Sequence, residues 1–253
     1  MSAAERLVVV GERIAAAARR SGRLPQQVRL IAVSKTRTLQ DVQSLADLGV
    51  KDFGENQVQE ALEKLAMCRD RALDWHFIGH LQSNKCRLIP GNFSWVHSID
   101  SEKLVRRIAQ AAAEADARVN LLLQVNVSAD PAKHGIRERD LFPLIERIHQ
   151  QAADRIRLRG LMTIGYRGAS DEDRRRSFAA LRQLLGQCQQ RFGQSMTELS
   201  MGMSADFELA IEEGATMVRV GTALFGPGAS RYYLRFSSTY TAPVPPSQRR
   251  AEQ

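Results

Sequence analysis

The stretch RLIAVSKTRTLQDVQSLADLG, residues 29–49, contains one complete strand-and-helix unit. Residues 30–33 form an apolar run of the kind that fills a buried strand. The pattern that follows places apolar residues such as Leu39 and Val42 near one face of a helix, which ends at Gly49, a natural C-cap. The same alternation continues along the chain, and it decides the predicted fold.

Seven further apolar runs follow, separated for the most part by helical patterns. They cover residues 50–53, 75–79, 95–99, 120–127, 158–164, 197–201 and 217–220. Repeated β-α units predict a parallel sheet, and eight of them in 253 residues predict a single α/β domain, a (β/α)8 TIM barrel with an extra N-terminal helix. A doubly wound open sheet is the alternative, but no glycine-rich dinucleotide loop follows the first strand. We assign residues 1–230 to the barrel and residues 231–253 to a C-terminal extension, whose Pro-rich end is predicted to be disordered.

Composition excludes several classes of protein. The chain is 43% hydrophobic and 25% charged, which is ordinary for a globular protein. No apolar run approaches the ~20 residues of a membrane span, and the N-terminus lacks a cleavable signal pattern. The three cysteines are too far apart in sequence for a disulfide framework or a zinc site. We therefore predict a cytoplasmic protein that has no metal site.

The net charge of +8 raises the question of nucleic-acid binding. The arginine clusters at 174–176 and 249–250 lack the interleaved aromatic residues of a single-strand binder, and no recognisable reading motif accompanies them. We interpret them as solvated faces, and we predict that the chain binds neither nucleic acid nor membranes.

Small and polar residues follow every predicted strand. In a barrel of this kind the chemistry lies at the carboxyl ends of the strands, so these loops are expected to share one site. Lys35 follows the first strand, GEN (54–56) the second, GHLQSNK (79–85) the third, LSMGMS (199–204) the seventh, and RVGTALFG (219–226) spans the end of the eighth.

The loops after strands seven and eight predict a phosphate site. Ser200 and Ser204 offer hydroxyl groups, and Ser204 is the predicted N-cap of a following helix whose free N–H groups attract anions. Gly221 lets the backbone approach closely, and Thr222 adds a further hydroxyl. A phosphate held by these two loops is a recurrent feature of TIM barrels.

Lys35 and Arg219 extend this prediction to a cofactor. Pyridoxal phosphate (PLP) carries a phosphate at one end and an aldehyde at the other, and the aldehyde forms a Schiff base with a lysine amine. Partial burial of Lys35 would favour its neutral, nucleophilic form, and Arg219 is a candidate partner for the pyridine nitrogen. The alternatives are a lysine that reaches into solvent or pairs with Glu55, and an arginine that pairs with Glu212 or Glu213.

Several motifs, taken in order, resemble one known family, the pyridoxal phosphate homeostasis proteins (YggS/PROSC). The motifs are AVSKT, DFGENQVQE, WHFIGHLQSNK, HSID, NVSADPAKHGI, LRGLMTIG and LSMGMSADFELAIEEGATMVRVGTALFG. The resemblance implies the barrel of the alanine racemase N-terminal domain, with PLP bound as a Schiff base. The set of cofactor-binding residues that it implies is Lys35, Asn56, His80, Met162, Ser200, Ser204, Arg219, Gly221 and Thr222. Gln57 departs from the aromatic residue that often follows GEN in the family.

The resemblance implies storage and delivery of PLP rather than catalysis, with apo-PLP enzymes as recipients and a monomeric chain. Racemisation needs a second base, which alanine racemase takes from a second domain that we do not expect here; Tyr166 is the one tyrosine near the predicted site. His80 and His97 are alternative acid–base groups. A racemase-like enzyme and a cofactor-free Schiff-base aldolase remain as alternative functions. Lys133 is a second lysine that could accept the cofactor in transit.

Overall fold

Eight parallel strands form a closed barrel in the computed structural model, which describes residues 1–128, 134–151, 154–165 and 168–227. Each strand pairs with the next along the chain, and the eighth closes the barrel on the first. The strands are β1 (Arg29–Val33), β2 (Asp52–Glu55), β3 (Asp74–Phe77), β4 (Trp95–Ile99), β5 (Val119–Gln124), β6 (Ile156–Met162), β7 (Glu198–Met203) and β8 (Met217–Val220). The predicted TIM barrel is confirmed.

Six of the eight α-helices in the described residues occupy connections between strands, one precedes β1 and one follows β8. The eight helices are α1 (Ala3–Arg20), α2 (Leu39–Asp47), α3 (Val58–Met67), α4 (Glu102–Glu114), α5 (Glu138–Gln151), α6 (Asp171–Phe192), α7 (Phe207–Glu212) and α8 (Thr222–Phe225). Between β3 and β4 the connection is a short 3-10 helix, Ser83–Leu88, rather than an α-helix. Lys133, Tyr166 and the extension 231–253 lie outside the described residues.

The extra N-terminal helix α1 packs against α7. Ser2 and Glu5 form a capping box that satisfies backbone N–H groups at its start. Arg13 donates two hydrogen bonds, of 2.7 and 2.8 Å, to the carboxylate of Glu208 on α7. The buried face of α1 includes Ile14. No helix among the described residues combines the length and apolarity needed to cross a membrane.

The core has two parts. A large cluster lies between the strands and the surrounding helices. A smaller cluster from five strands fills part of the barrel interior, and its members are Ile31, Trp95, Leu122, Met162 and Met217. Strand residues alternate between the two sides of a sheet, which explains the separation. The interior also contains the buried polar residues His76, His97, Ser200 and Arg219.

Two local predictions are wrong. The second strand begins at Asp52 rather than at residue 50, so Glu55 is the last residue of β2 and is fully buried. Ser204 does not cap the helix after β7, because α7 begins at Phe207 with Asp206 at its N-cap position. The arginine cluster 174–176 lies on α6 and forms ion pairs with acidic residues of α6 and α7, in keeping with a solvated helix face.

Candidate functional site

Several of the predicted site residues lie at the carboxyl end of the barrel, whereas Met162, Ser200 and Arg219 lie within strands and are buried. Ser34 directly follows β1 and Lys35 comes next. Gly221 and Thr222 directly follow β8. Since β1 and β8 are hydrogen-bonded neighbours, these two segments are adjacent: a Cβ placed on Gly221 would lie 3.5 Å from the carbonyl oxygen of Val33. The closure of the barrel therefore brings the lysine beside the last predicted phosphate loop.

Lys35 is exposed, which corrects the predicted partial burial. The next residue, Thr36, has a φ of 60°. This left-handed conformation is strained for a β-branched side chain, and such strain often occurs at functional sites. The backbone N–H of Thr36 donates a 3.0 Å hydrogen bond to Oε1 of Glu60, so the turn that carries Lys35 is held from α3.

A buried charge cluster, made of Glu55, Glu60 and Lys64, lies beside this turn. Nζ of Lys64 donates to Oε1 of Glu55 at 2.9 Å and to Oε1 of Glu60 at 3.0 Å. It also donates to the carbonyl oxygen of Ser34 at 2.9 Å, and the Ser34 hydroxyl donates to Glu55 at 2.6 Å. Glu55 thus pairs with Lys64, and the predicted alternative of a Lys35–Glu55 pair is wrong. Burial raises the pKa of Glu55 more than Lys64 and Ser34 lower it.

The side-chain oxygen of Asn56, Oδ1, is buried and has no hydrogen-bond partner among the described residues. Its backbone is packed tightly against Gly79, where a Cβ would lie 2.2 Å from the Asn56 carbonyl oxygen. Only glycine fits there, so the loop after β3 supports the position of Asn56. An unpaired buried amide oxygen is unfavourable unless a ligand or water completes its hydrogen bonding.

Ser204 joins the loops after β7 and β8. Its Oγ accepts hydrogen bonds from the backbone N–H groups of Gly221, at 3.2 Å, and Ala223, at 3.4 Å. The Ser204 hydroxyl proton is therefore still free to be donated to a ligand. Gly202 makes the turn before Ser204 with a φ of 89°, and a Cβ there would lie 2.6 Å from that of Ala210. The Thr222 side chain is exposed beside this junction.

Arg219 is buried inside the barrel and is bound by neutral groups. Its Nη1 donates to Oγ of Ser200 at 2.7 Å, and its Nη2 donates to the carbonyl oxygen of Thr163 at 2.9 Å. The alternative pairing with Glu212 or Glu213 is wrong, because those carboxylates pair with arginines of α1 and α6. Burial lowers the pKa of Arg219 to about 10, so it is still protonated at pH 7.

A line of hydrogen bonds continues from Arg219 across the interior. Oγ of Ser200 lies 2.8 Å from Nδ1 of His97, and Nε2 of His97 lies 2.9 Å from Nδ1 of His76. Nε2 of His76 in turn lies 2.9 Å from Oδ1 of Asp52. We refer to these five residues, Asp52, His76, His97, Ser200 and Arg219, as the interior chain. It places His97 in the core, where a role as an exposed acid or base is not available to it.

The amino-acid sequence is closely related to curated proteins. Residues 12–228 match the family model of the alanine racemase N-terminal domain. The pyridoxal phosphate homeostasis protein of Pseudomonas aeruginosa is 45% identical over 223 residues, which is 88% of this chain and 94% of that protein. The chain belongs to the pyridoxal phosphate homeostasis protein family. The relative from Aquifex aeolicus is 40% identical over 89% of this chain and 98% of its own length.

Solved structures of the family and of its fold are also similar. PipY of Synechococcus elongatus, in a structure with PLP bound, has a TM-score of 0.79 and 39% identity, covering 89% of this chain and all of PipY. Alanine racemase from Corynebacterium glutamicum has a TM-score of 0.62 at 17% identity, covering 88% of this chain and 62% of the racemase. The second likeness concerns the fold alone.

In this member of the pyridoxal phosphate homeostasis family, three of the predicted residues are placed unexpectedly. Met162 is completely buried in the smaller core cluster, and Ser200 is completely buried in the interior chain. His80 is exposed, and its ring stacks on that of His134 at a centroid distance of 4.5 Å.

The loops after β3, β4 and β5 also bring together a group that the sequence spacing did not indicate. His80, Asp100 and His134 each offer one ligand atom, and these atoms all lie within 4.8 Å of one another. Two imidazoles and a carboxylate are a donor set that could hold a divalent transition metal. The residues are far apart in sequence, so cysteine and histidine spacing did not predict the group.

Sequence reasoning missed His76, Lys64 and Glu60. His76 carried a signal, since it is a polar residue within the apolar run WHFIG, just as Lys35 ends the run LIAV. Lys64 and Glu60 carried none, because charged residues on an amphipathic helix are ordinarily solvated. Only packing of α3 against the end of β1 reveals that Lys64 is buried, with 8% of its surface exposed.

Proposed function

We propose that this chain binds PLP as a Schiff base on Lys35 and acts in PLP homeostasis by storing and delivering the cofactor. The observation that carries the proposal is the position of an exposed lysine amine beside the loop after β8, in a chain 39% identical to PLP-bound PipY. When bound, PLP supplies an aldehyde that condenses with a lysine amine. The other assignments follow from the hydrogen bonds that each side chain can still donate or accept.

The phosphate end fits the junction of the loops after β7 and β8. Ser204 has a hydroxyl proton that is not used by the protein, Gly221 offers close backbone approach, and the Thr222 hydroxyl is exposed. We assign the binding of the phosphate to these three residues. Charge-assisted hydrogen bonds to a phosphate are about twice as strong as neutral ones.

The ring end fits the residues that face it from the neighbouring strands. Arg219 would bind the pyridine nitrogen, and Asn56 would lie beside the ring with its unpaired amide oxygen. We assign Met162 to the apolar floor under the ring and His80 to the rim. Oε2 of Glu55 is also buried without a hydrogen-bond partner among the described residues. The orphaned oxygen of Asn56 and the cationic Arg219 are the features that we assign to a polar ligand here.

The first test of the proposal concerns Lys35. The purified chain is loaded with PLP and reduced with borohydride, and the adduct is mapped by mass spectrometry. We expect the adduct on Lys35 and loss of the visible-edge absorbance band in Lys35→Ala, while Lys103→Ala, an exposed lysine on α4, keeps both. An adduct on another lysine would overturn the assignment. The aldolase alternative requires a lysine without this chromophore.

Delivery rather than catalysis is the second part of the proposal. Arg219 would keep its own proton and leave the pyridine nitrogen of PLP largely unprotonated. PLP is then a weaker electron sink, which favours storage of the cofactor over catalysis. The racemase-like alternative requires exchange of the α-proton of alanine in D2O, which proton NMR measures directly.

Recipients and cellular context complete the proposal. We assign apo-PLP enzymes as recipients, a cytoplasmic location and a monomeric state, which light scattering would test. If Lys133 accepts the cofactor in transit, the Lys133→Ala variant will transfer PLP more slowly to an apo-enzyme. The recovery of that enzyme's activity after addition of the PLP-loaded chain measures the rate. Unchanged transfer would remove Lys133 from the pathway.

A further inference from the structure

The interior chain contains four hydrogen bonds, and the direction of each is determined from its Asp52 end. A carboxylate oxygen accepts hydrogen bonds, and Oδ1 of Asp52 also accepts one from Nη1 of Arg29 at 3.4 Å. Nε2 of His76, 2.9 Å from the same oxygen, must therefore carry a proton and donate it. This fixes the tautomer of the first ring.

Both histidines of the interior chain are fully buried, which favours their neutral form. Burial lowers the pKa of His76, with Asp52 and Asp74 opposing the effect and Arg29 adding to it. Burial lowers the pKa of His97 well below its ordinary value, and His76, Arg219 and Arg29 act in the same direction. A neutral imidazole has one N–H group and one acceptor nitrogen.

The remaining directions follow in sequence. Since Nε2 of His76 holds its proton, Nδ1 of His76 accepts a hydrogen bond from Nε2 of His97. Nδ1 of His97 is then an acceptor, and the Ser200 hydroxyl must donate to it. The Ser200 oxygen accepts from Nη1 of Arg219. Each contact has one proton, and no other assignment in which Oδ1 of Asp52 accepts and each ring carries one N–H group satisfies all four.

We propose that Ser200 is a positioning residue for Arg219 and that it is not a ligand of the phosphate. This inference rests on the proposed function, in which Arg219 faces the cofactor ring. The single hydroxyl proton of Ser200 is committed to His97, so none is left for a phosphate oxygen. Ser204 differs, because its oxygen only accepts hydrogen bonds from the protein.

The interior chain thereby sets the plane of the Arg219 guanidinium. Ser200 and the Thr163 carbonyl bind two of its five N–H groups. The other three make no hydrogen bond with any described residue. Because a guanidinium is planar and rigid, two fixed bonds orient all of these donors. His76 and His97 act on the ligand through this orientation, although neither is assigned to touch it.

Nitrogen-15 NMR of the histidine rings in the full chain without PLP tests the inference independently of cofactor binding. We expect His76 and His97 to be neutral at pH 7, each with its proton on Nε2. The exposed His149 on α5 serves as an internal reference for a ring in solvent. A proton on Nδ1 of either buried ring would reverse the Ser200 bond and overturn the proposal.

The two serines provide a matched pair of variants for a second test with PLP and with pyridoxal, which lacks the phosphate. Ser204→Ala should weaken PLP binding about tenfold and leave pyridoxal binding unchanged. Ser200→Ala should weaken both ligands by the same factor and shift the absorbance maximum of bound PLP, and Ser200→Thr should restore both. Selective loss of PLP binding in Ser200→Ala would overturn the proposal. Failure of the proposed function would instead appear as a missing Lys35 adduct in the parent chain.

Discussion

Two buried cations border the candidate site, and the protein balances their charges in different ways. Lys64 has two carboxylates within 3.0 Å, those of Glu55 and Glu60. Arg219 has no carboxylate within 4.0 Å among the described residues, and it is bound by a hydroxyl and a carbonyl. Lys64 lies beside the turn that carries Lys35. Arg219 is itself proposed to bind the cofactor ring.

The difference indicates what each network is for. The charge cluster around Lys64 pairs its charges without a ligand, although Oε2 of Glu55 is a buried atom with no hydrogen-bond partner among the described residues. Its bonds also reach the backbone of Ser34 and Thr36, on either side of Lys35. Arg219 has unused donors and forms no ion pair with a described residue, and the more distant carboxylate of Asp206 compensates its charge only in part. Removing one partner of a buried ion pair strongly destabilises a protein, because the other charge is left buried without compensation. Removing Arg219 would break no ion pair with a described residue.

The largest effect is expected for Lys64→Met. The substitution leaves Glu55 buried without its cationic partner, so the free energy of unfolding should fall by about 3 to 5 kcal/mol. Urea unfolding of the PLP-free chain measures this. Lys103→Met on α4, which changes an exposed lysine, should shift the value by less than about 0.5 kcal/mol. A loss below about 1 kcal/mol in Lys64→Met would show that the cluster does not support the Lys35 turn.

Acidification should act on the interior chain. The pKa values of His76 and His97 are lowered in the folded chain, so their contribution to stability is complete above the unfolded value of about 6.5 and is lost as the pH falls below it. Two histidines that protonate only on unfolding give a slope of up to about 2.7 kcal/mol per pH unit. Urea unfolding between pH 7.5 and 5.5 measures it.

The control for the pH experiment is the double variant His76→Gln, His97→Gln. Its unfolding free energy should fall less steeply over the same pH range, because glutamine does not titrate and the unfolded variant therefore binds two fewer protons. Equal slopes for the parent chain and the double variant would mean that the two rings titrate normally.

Arg219→Met should have a smaller effect on stability than the same replacement at Lys64. We expect the unfolding free energy of the PLP-free chain to change by no more than about 1 kcal/mol, because no ion pair with a described residue is broken and the cost of burying a charge is removed together with two hydrogen bonds. PLP affinity should nevertheless fall about tenfold, because a hydrogen bond between a charged donor and the ring is lost. A destabilisation as large as that of Lys64→Met would abolish the contrast between the two cations.

The smallest effect is expected at the surface of α6. Arg176 pairs with Asp173 at 2.7 Å, and both side chains are more than half exposed. Arg176→Ala should lower the unfolding free energy by no more than about 0.5 kcal/mol, since exposed ion pairs are screened by solvent. A thermal melt at low and high salt checks the value. An effect comparable with that of Lys64→Met would mean that burial does not explain the difference between the clusters.

Much of the fold was predictable from local patterns. Apolar runs and helical periodicity act over fewer than about 20 residues, and they identified eight strands and the helices between them. The position of Lys35 at a strand end followed in the same way, because the carboxyl ends of parallel strands lie at one end of a barrel. The strand limits were not predicted exactly. The predicted second strand covered residues 50–53, whereas β2 ends at Glu55, so Glu55 is a buried strand residue rather than a loop residue.

The roles of Ser200 and Ser204 could not be separated by sequence. Both are serines of the motif LSMGMS, four positions apart. The structure turns one into the barrel and the other toward the loop after β8, because Gly202 bends the backbone between them. Strand alternation alone would have placed both on the same side of the sheet.

The sequence by itself determined a (β/α)8 barrel and the loops from which a PLP site could be built, since these depend on local periodicity and on motifs. Only the tertiary structure decided which buried groups are paired. His97 and Ser200 are 103 positions apart and meet because the closed barrel brings β4 and β7 across the same interior. Hydrogen bonding acts over about 3 Å, so a charge or proton in this interior is assigned a partner only when the chain is folded.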